Sequence, residues 1–269
     1  MAISRSQLVK ELEPGLNALF GLEHGRYENQ HTEIFDTENS DRAFEEEVML
    51  SGFGQAKVKA EGQAVDYDDA QETFTARYTH ETIALAFAIT EEAVEDNLYD
   101  KVSSRYTKAL ARSMAITKQT KGANVLNRAF NSSYTGGDAK ELLATDHPTI
   151  GGDVKNELTT AADLNETSLE QALIDIAGMK DERGLKIAVN GVKMIIPVNL
   201  QFTAERLMKS PGRVGTADND INAHKSMGMI PQGYVVNNYL TDTDAFFIKT
   251  DAPNGLKMFQ RTAVTTKME

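Results

Sequence analysis

Two runs decide the fold: GFGQAKVKAEGQAVDYDDAQETFTARYT at residues 52–79 and EEAVEDNLYDKVSSRYTKALARSMAITKQTKGANVLNRAF at residues 91–130. The first run predicts a long, charged β-hairpin, and the second predicts one very long helix. A two-stranded hairpin with so few apolar residues is marginal alone in water. We therefore expect it to project and to grip a neighbouring subunit, which favours an assembling protein over a free-standing enzyme.

The predicted hairpin covers residues 48–89. Its second strand, 73–89, alternates, because Phe74, Ala76 and Tyr78 fall on one face and threonines and Arg77 fall on the other. The first strand covers 48–60, and an acidic segment joins the two. A hairpin lying flat on its own domain is the alternative to a projecting one. The candidate contacts with a neighbour are Lys57, Lys59, Tyr67 and Arg77.

The long helix is predicted to begin at Thr90 and to reach Phe130. Acids crowd its start and bases its later turns, which complements the helix dipole. Unbroken, about 40 residues would span about 60 Å, and Gly122 is a candidate bending point. The basic half favours a solvated face over a nucleic-acid patch. We expect the hairpin cations of one subunit to meet the acidic helix start of another, which comprises Glu91, Glu92 and Glu95.

Other local patterns predict the remaining elements. A helix over 4–20 is interrupted by Pro14, and the polar segment 23–42 is an extended arm. The second half is predicted to contain a helix capped by Thr167 and ended by Gly184, a hairpin turning at Asn190-Gly191, a helix from Pro197 to Met208, and strands at 235–240, 245–249 and 256–266. The class is α+β.

Composition limits the function classes. The chain has 269 residues, 41% hydrophobic and 25% charged, so it can hold one large domain or two modest ones. The net charge of −12 disfavours broad phosphate contact. No cysteine, secretory signal or membrane-spanning run is visible, so we expect a protein that works in a cytoplasm without membrane contact.

Searches for catalytic motifs return little. His80-Glu81 lacks the spacing of a zinc-peptidase helix, and no serine lies in a nucleophile elbow. For Asp146-His147, a loop histidine with satisfied hydrogen bonds is favoured over a pair that orients a proton transfer. Asp242, Asp244 and Asp251 lack calcium-loop spacing. We predict no catalytic, cofactor or metal residues. A metal-dependent hydrolase using the acidic loops near Asp146 and Asp242 stays a third, less favoured hypothesis.

Several runs resemble the major head subunits of tailed phages of the Mu-like prophage type. They are ANVLNRAFNSSYTGGD at 123–138, ATDHP at 144–148, ALIDIAG at 172–178, DERGLKI at 181–187, GMIP at 228–231 and TDTDAFFIKTDAPNGLK at 241–257. The resemblance covers roughly residues 70–265. It implies the Hong-Kong-97-type capsid fold, with an N-terminal arm, an extended loop, a peripheral domain built on a spine helix, and an axial domain.

Mapped on this chain, that fold implies five parts. These are an N-terminal helix and arm (1–47), an extended loop (48–89), a spine helix (90–135), an axial domain (136–244) and return strands (245–269). Because capsid expansion needs domains that rotate about permissive positions, the hinge candidates are Gly122, Gly136 and Gly137.

The resemblance implies a non-enzymatic capsid protein that self-assembles into an icosahedral shell of hexamers and pentamers around double-stranded DNA, without sequence-specific binding. It would be built in the host bacterial cytoplasm and remain in the virion. The implied partners are a separate scaffolding protein, a portal and a decoration protein. An encapsulin-like compartment that holds cargo enzymes is the main alternative within the same fold.

Overall fold

The computed structural model describes residues 9–90, 99–213 and 220–267. The helices are α1 (Val9–His24), α2 (Tyr99–Asn127), α3 (Glu166–Ala177), α4 (Gln201–Lys209) and α5 (Ala223–Met227), with 3₁₀ turns at Gln30–Glu33 and Val198–Leu200. The strands are β1 (Asp36–Asn39), β2 (Phe44–Leu50), β3 (Glu72–Thr79), β4 (Gly191–Ile196), β5 (Tyr234–Val236), β6 (Phe247–Thr250) and β7 (Lys257–Gln260). The mixture agrees with the predicted α+β class.

The strands form three small sheets. β1 pairs with β7 in parallel, β2 pairs with β3 antiparallel, and β4 lies between β5 and β6 in the order β5-β4-β6. Within the described residues, no helix is both long and apolar enough to cross a membrane.

Strand β4 separates the two hydrophobic cores. Met194 and Ile196 belong to the core formed with α3 and α4, whereas Ile195 belongs to the core formed with Phe35 and the end of α2 at Leu126. Successive side chains of a strand point to opposite faces, so this one strand contributes to both cores. The three-stranded sheet therefore joins the long helix to the second half of the chain.

The long helix is continuous through Gly122, so the chain does not split there, and a bending point at Gly122 stays a prediction. A Cβ at Gly122 would lie only 3.0 Å from Cβ of His31, which is tighter than ordinary packing. The glycine lets the Gln30–Glu33 turn approach the helix closely. The helix ends at Asn127, three residues before the predicted end, and its described part begins at Tyr99.

The hairpin differs from its predicted boundaries at both ends. β2 begins at Phe44, and β3 ends at Thr79 instead of Ile89. After Thr79 the chain leaves the sheet and follows α2, where Glu81 pairs with Lys121 at 2.6 Å and the rings of Phe87 and Tyr106 are 5.8 Å apart. Contacts with the helix replace strand pairing there.

Several predictions for the second half are wrong. α3 is capped by Asn165, whose side chain accepts from the Ser168 N–H, and it ends before Gly178. The predicted hairpin at Asn190-Gly191 does not form, because the N–H and C=O of Asn190 bond to Asp251 beside β6 and β4 takes β5 and β6 as partners. The predicted helix after Pro197 is confirmed as a 3₁₀ turn followed by α4.

The N-terminal predictions also need correction. α1 continues through position 14 to His24, although an interruption was expected there. The arm is folded in part, because β1 pairs with β7 from the other end of the chain, and the Asp36 N–H donates to the Leu256 carbonyl at 2.9 Å. The predicted last strand is real but shorter, from Lys257 to Gln260.

Candidate assembly surface

The β2–β3 hairpin has one face turned inward and one face turned to solvent. Phe44 opposes Thr79, Glu46 opposes Arg77 and Val48 opposes Thr75 on the outward face. Phe74, Ala76 and Tyr78 are half-buried, as the sequence alternation predicts. In a normal amphipathic strand the apolar side chains are buried and the polar ones face solvent. In β2 the order is reversed, because the carboxylates Glu45 and Glu47 are half-buried.

Polar partners satisfy the inward carboxylates. Lys257 Nζ donates to Glu47 Oε1, and the Tyr78 hydroxyl donates to Glu47 Oε2 at 3.1 Å. The Ser40 hydroxyl donates to Glu45 Oε1 at 2.7 Å. Burial and the nearby Glu47 carboxylate raise the pKa of Tyr78. The hairpin is thus attached to β7 by the Lys257–Glu47 ion pair and by the ring of Tyr78, whose centre lies 5.1 Å from that of Phe259.

The outward face exposes apolar groups. Phe44 and Val48 are exposed, and so are Leu50 and Phe53 where the hairpin leaves the sheet. The Arg77 guanidinium lies 4.5 Å from the centre of the Phe44 ring and donates to Glu46 Oε1 at 2.7 Å. Exposed apolar groups that lie together mark surfaces that other molecules cover.

The tip, residues 51–71, projects beyond the sheet and contains no strand. Val58 and Tyr67 are 99% and 98% exposed. Lys57 pairs with Asp66 across the tip at 3.1 Å, and the chain turns at Gly62, where φ is +81°. Few contacts therefore hold the shape of the tip, and its apolar side chains Val58 and Tyr67 are exposed to solvent.

The neck, where residues 51–54 and 68–71 meet, is fastened to a loop of the second half of the chain. Arg183 Nε donates to the Gly52 carbonyl at 2.8 Å, and its Nη2 donates to the Asp69 carbonyl. Glu182 Oε1 accepts from the Gly52 N–H at 2.6 Å. Because side chains take up both polar groups of Gly52, this residue does not extend the ladder of backbone bonds beyond Ser51.

A second carboxylate stabilises the neck. Asp68 Oδ2 accepts from the Gly54 N–H at 2.7 Å, and Asp68 Oδ1 accepts from the Asp69 N–H at 3.0 Å. The Gly54 bond is the main cause that lowers the pKa of Asp68, with help from the charges of Arg183 and Lys57 and against some desolvation.

The junction glycines pack against the hairpin. A Cβ at Gly137 would lie 3.0 Å from the Thr75 carbonyl oxygen, so the junction touches the backbone of β3. The Gly136 N–H donates to the Lys140 carbonyl at 2.7 Å. Neither glycine has the positive φ that would require it, whereas Ala139 does, at +63°. Close approach therefore explains Gly137, and the hinge role of Gly122, Gly136 and Gly137 stays a prediction.

The predicted contact residues are only partly free for a neighbour. Lys57 and Arg77 already have carboxylate partners in their own chain, so a contact with a second subunit would require them to share or exchange those partners. Glu91, Glu92 and Glu95 lie outside the described residues. No local pattern predicted that Glu182 and Arg183 bind the neck, because they lie more than 100 positions from it.

The acidic residues considered for a hydrolase already pair with residues close to them in the chain. Asp146 pairs with Lys140, and His147 Nδ1 lies 2.6 Å from Asp138 Oδ2. Asp242 and Asp244 share a hydrogen bond that lowers the pKa of Asp242 and raises that of Asp244. In the part of the chain that the structure describes, no three His, Cys, Asp or Glu side chains gather in a way that could hold a metal ion.

Residues 72–269, more than half of the chain, match the family described as phage capsid protein. The chain belongs to that family. It is a major capsid protein that forms the shell of a phage head, and its place is the capsid of the virion. The sequence-based prediction of a tailed-phage major capsid protein is confirmed at this level.

Solved structures of phage heads share the fold of this capsid protein. The capsid of bacteriophage JBD30 has 10% sequence identity and a TM-score of 0.62 over 80% of this chain and 92% of that one. The procapsid of the same phage has 14% identity and a TM-score of 0.57 over 88% and 100%. Its capsid decorated with minor capsid protein trimers has 12% identity and a TM-score of 0.59 over 80% and 92%. A comparison with curated protein sequences gives no match.

Proposed function

We propose that this capsid protein assembles by extending its hairpin tip, residues 51–71, over a neighbouring subunit in hexamers and pentamers around packaged double-stranded DNA. The observation that carries the proposal is the nearly complete exposure of Val58 and Tyr67 on a segment whose neck is fastened. An apolar side chain gains stability when it is removed from water. Only another molecule can supply that burial at the tip.

The outward hairpin face supports the same proposal. Phe44 and Val48 face solvent while Glu45 and Glu47 face the subunit. This arrangement is unfavourable in an isolated subunit and becomes favourable if a neighbour covers the outward face. Each such contact is weak, but many identical contacts in a closed shell act together.

We assign the parts of the Hong-Kong-97-type fold accordingly. α2 serves as the spine of a peripheral domain, and the β5-β4-β6 sheet with α3 and α4 serves as the axial domain. The Gly136-Gly137 junction, between the end of α2 and α3, serves as the hinge. In this scheme the protein acts by assembly and not by catalytic turnover.

The proposed partners follow the same scheme. A separate scaffolding protein directs assembly, a portal occupies one vertex, and DNA fills the shell without sequence-specific contacts. The JBD30 capsid carries minor capsid protein trimers, and we propose a decoration protein of that kind here. The net charge of −12 supports a shell wall that adheres only weakly to DNA.

The test compares tip variants in cells that express the head genes of the phage. In one variant a Gly-Ser linker replaces residues 55–67, which leaves Gly54, Asp68 and the neck in place. In a milder variant Tyr67→Ser removes one exposed ring, and Gln63→Ser is the matched control on the same exposed segment. Sedimentation and electron microscopy measure the shells.

We expect the linker variant to stay folded and soluble but to form few or no shells. Tyr67→Ser should lower the yield, and Gln63→Ser should leave it unchanged. Normal shells from the linker variant would contradict the proposed contact. Particles of the unaltered protein that hold protein cargo in place of DNA would contradict the proposed contents of the shell.

A further inference from the structure

The loop that fastens the neck, residues 181–184, belongs to the second half of the chain and not to the hairpin. We propose that Arg183 is a positioning residue for shell assembly. It couples the orientation of the hairpin tip to the position of the unit formed by α3 and β4. The inference rests on the proposed function, since a direction matters only if the tip contacts a neighbour.

The guanidinium of Arg183 joins both sides of the neck. The Gly52 carbonyl that it binds leads into the tip, and the Asp69 carbonyl leads out of it. The Asp68 carboxylate lies 3.9 Å from the same guanidinium. Only 15% of the Arg183 side chain is exposed. A guanidinium holds its donors in a rigid planar fork, so two carbonyls bound to it keep a fixed separation and orientation.

Glu182 adds a contact of opposite polarity. Its carboxylate accepts the Gly52 N–H, while the neighbouring Arg183 donates to the Gly52 carbonyl. One peptide position of the neck is therefore held on both sides by adjacent residues of one loop. Ser51 is buried, and its N–H and hydroxyl exchange bonds with the Gln71 backbone at 2.8 Å each, which closes the neck below this point.

The loop itself is held in shape by its own unit. Asp181 Oδ1 accepts from the N–H groups of Arg183 and Leu185 at 3.0 and 2.7 Å. A Cβ at Gly151 would lie 2.6 Å from the Gly184 nitrogen, so the two backbones are in close contact. The loop cannot shift without moving residues 149–152 and the chain between α3 and β4.

The hairpin therefore has two separate attachments. Lys257 and the backbone at Gly137 hold its strands, whereas Arg183 and Glu182 hold its neck. A rotation of the α3–β4 unit relative to the strands moves one attachment and not the other. Such a rotation turns the tip or breaks the neck contacts. Either result changes the surface that a neighbouring subunit contacts.

The first step of the test uses the unassembled subunit, so it does not depend on the proposed function. Arg183→Ala removes the donors to Gly52 and Asp69. Hydrogen exchange at Gly52 and Gly54 should become about tenfold faster, because bonds to charged groups are among the stronger protein hydrogen bonds. Arg206→Ala is the matched control, since among the contacts described the side chain of Arg206 bonds only to Thr203, at the surface. Unchanged exchange in Arg183→Ala would overturn the inference.

The second step measures shells from the same variants in cells expressing the head genes. We expect Arg183→Ala to lower the yield of regular shells at least severalfold, although its tip sequence is complete, and Arg183→Lys to recover part of it. Fast exchange at the neck together with normal shells would overturn the inference and leave the proposed function intact. Normal shells from the variant lacking residues 55–67 would instead overturn the proposed function.

A second variant covers the case in which Arg183→Ala does not fold. Glu182→Ala removes the acceptor of the Gly52 N–H and leaves the Asp181 contacts of the loop in place. It should raise exchange at Gly52 and lower the yield of regular shells in the same direction. Slow exchange at Gly52 in this variant would show that the loop does not hold the neck.

Discussion

The β2–β3 hairpin and the β5-β4-β6 sheet are both held by backbone ladder hydrogen bonds, but the burial of their side chains differs. Met194, Ile195 and Ile196 of β4 are buried on both faces of the sheet. The hairpin has half-buried carboxylates on one face and exposed apolar side chains on the other. The difference shows that the central sheet is stabilised within one subunit, and it supports the proposal that a neighbouring subunit covers the hairpin.

The largest expected effect tests the central sheet. Ile196→Ala removes a fully buried side chain and should destabilise the subunit by about 2–5 kcal/mol. The matched change in the hairpin, Val48→Ala, should stay within about 0.5 kcal/mol, because Val48 faces solvent. Urea unfolding of the unassembled subunit measures both. Equal losses would mean that the hairpin belongs to the folding core.

A smaller effect is expected where the hairpin touches the junction. Gly137→Ala places a Cβ 3.0 Å from the backbone of Thr75, and overpacking of this kind costs about 1–3 kcal/mol. Gly136→Ala meets only the Asp138 side chain and the Lys140 carbonyl and should change stability by less than about 0.5 kcal/mol.

Thermal unfolding of the two junction variants measures the effect of close packing, and the expansion of precursor shells measures hinge action. If Gly136→Ala keeps its stability yet slows the expansion of precursor shells, the junction bends there. Normal expansion in Gly136→Ala would leave the junction as a helix stop and a turn.

The smallest expected effect concerns pH at the neck. The Gly54 N–H bond and the nearby cations lower the pKa of Asp68 below its value in the unfolded chain. The stabilisation is therefore fully present above about pH 4 and is lost as the pH falls through the lowered folded value.

Hydrogen exchange at Gly54, corrected for its intrinsic pH dependence, should consequently become faster on acidification below pH 4. In Asp68→Asn this acceleration should disappear, because the amide keeps an acceptor oxygen but does not titrate. An acceleration of the same size in Asp68→Asn would assign the effect to another group.

Local patterns in the sequence accounted for a definite part of the fold. The alternation around Phe74 and Tyr78 predicted β3 and its half-buried face, and the Pro197 signal predicted the helical segment that forms a 3₁₀ turn followed by α4. Tyr67 could be named as an exposed candidate because it lies in the acidic segment that joins the two predicted strands. The family resemblance, carried by specific runs after residue 122, predicted the capsid assignment.

The sequence by itself determined the alternation of β3 and the presence of one long helix. Only the tertiary structure decided that β1 pairs with β7, that β4 lies between β5 and β6, and that Arg183 holds the neck. Periodicity and capping act over a few residues and leave a local signature. Pairing partners 40 or more positions away leave none, because any exposed backbone carbonyl can accept from any donor that the fold brings within about 3 Å.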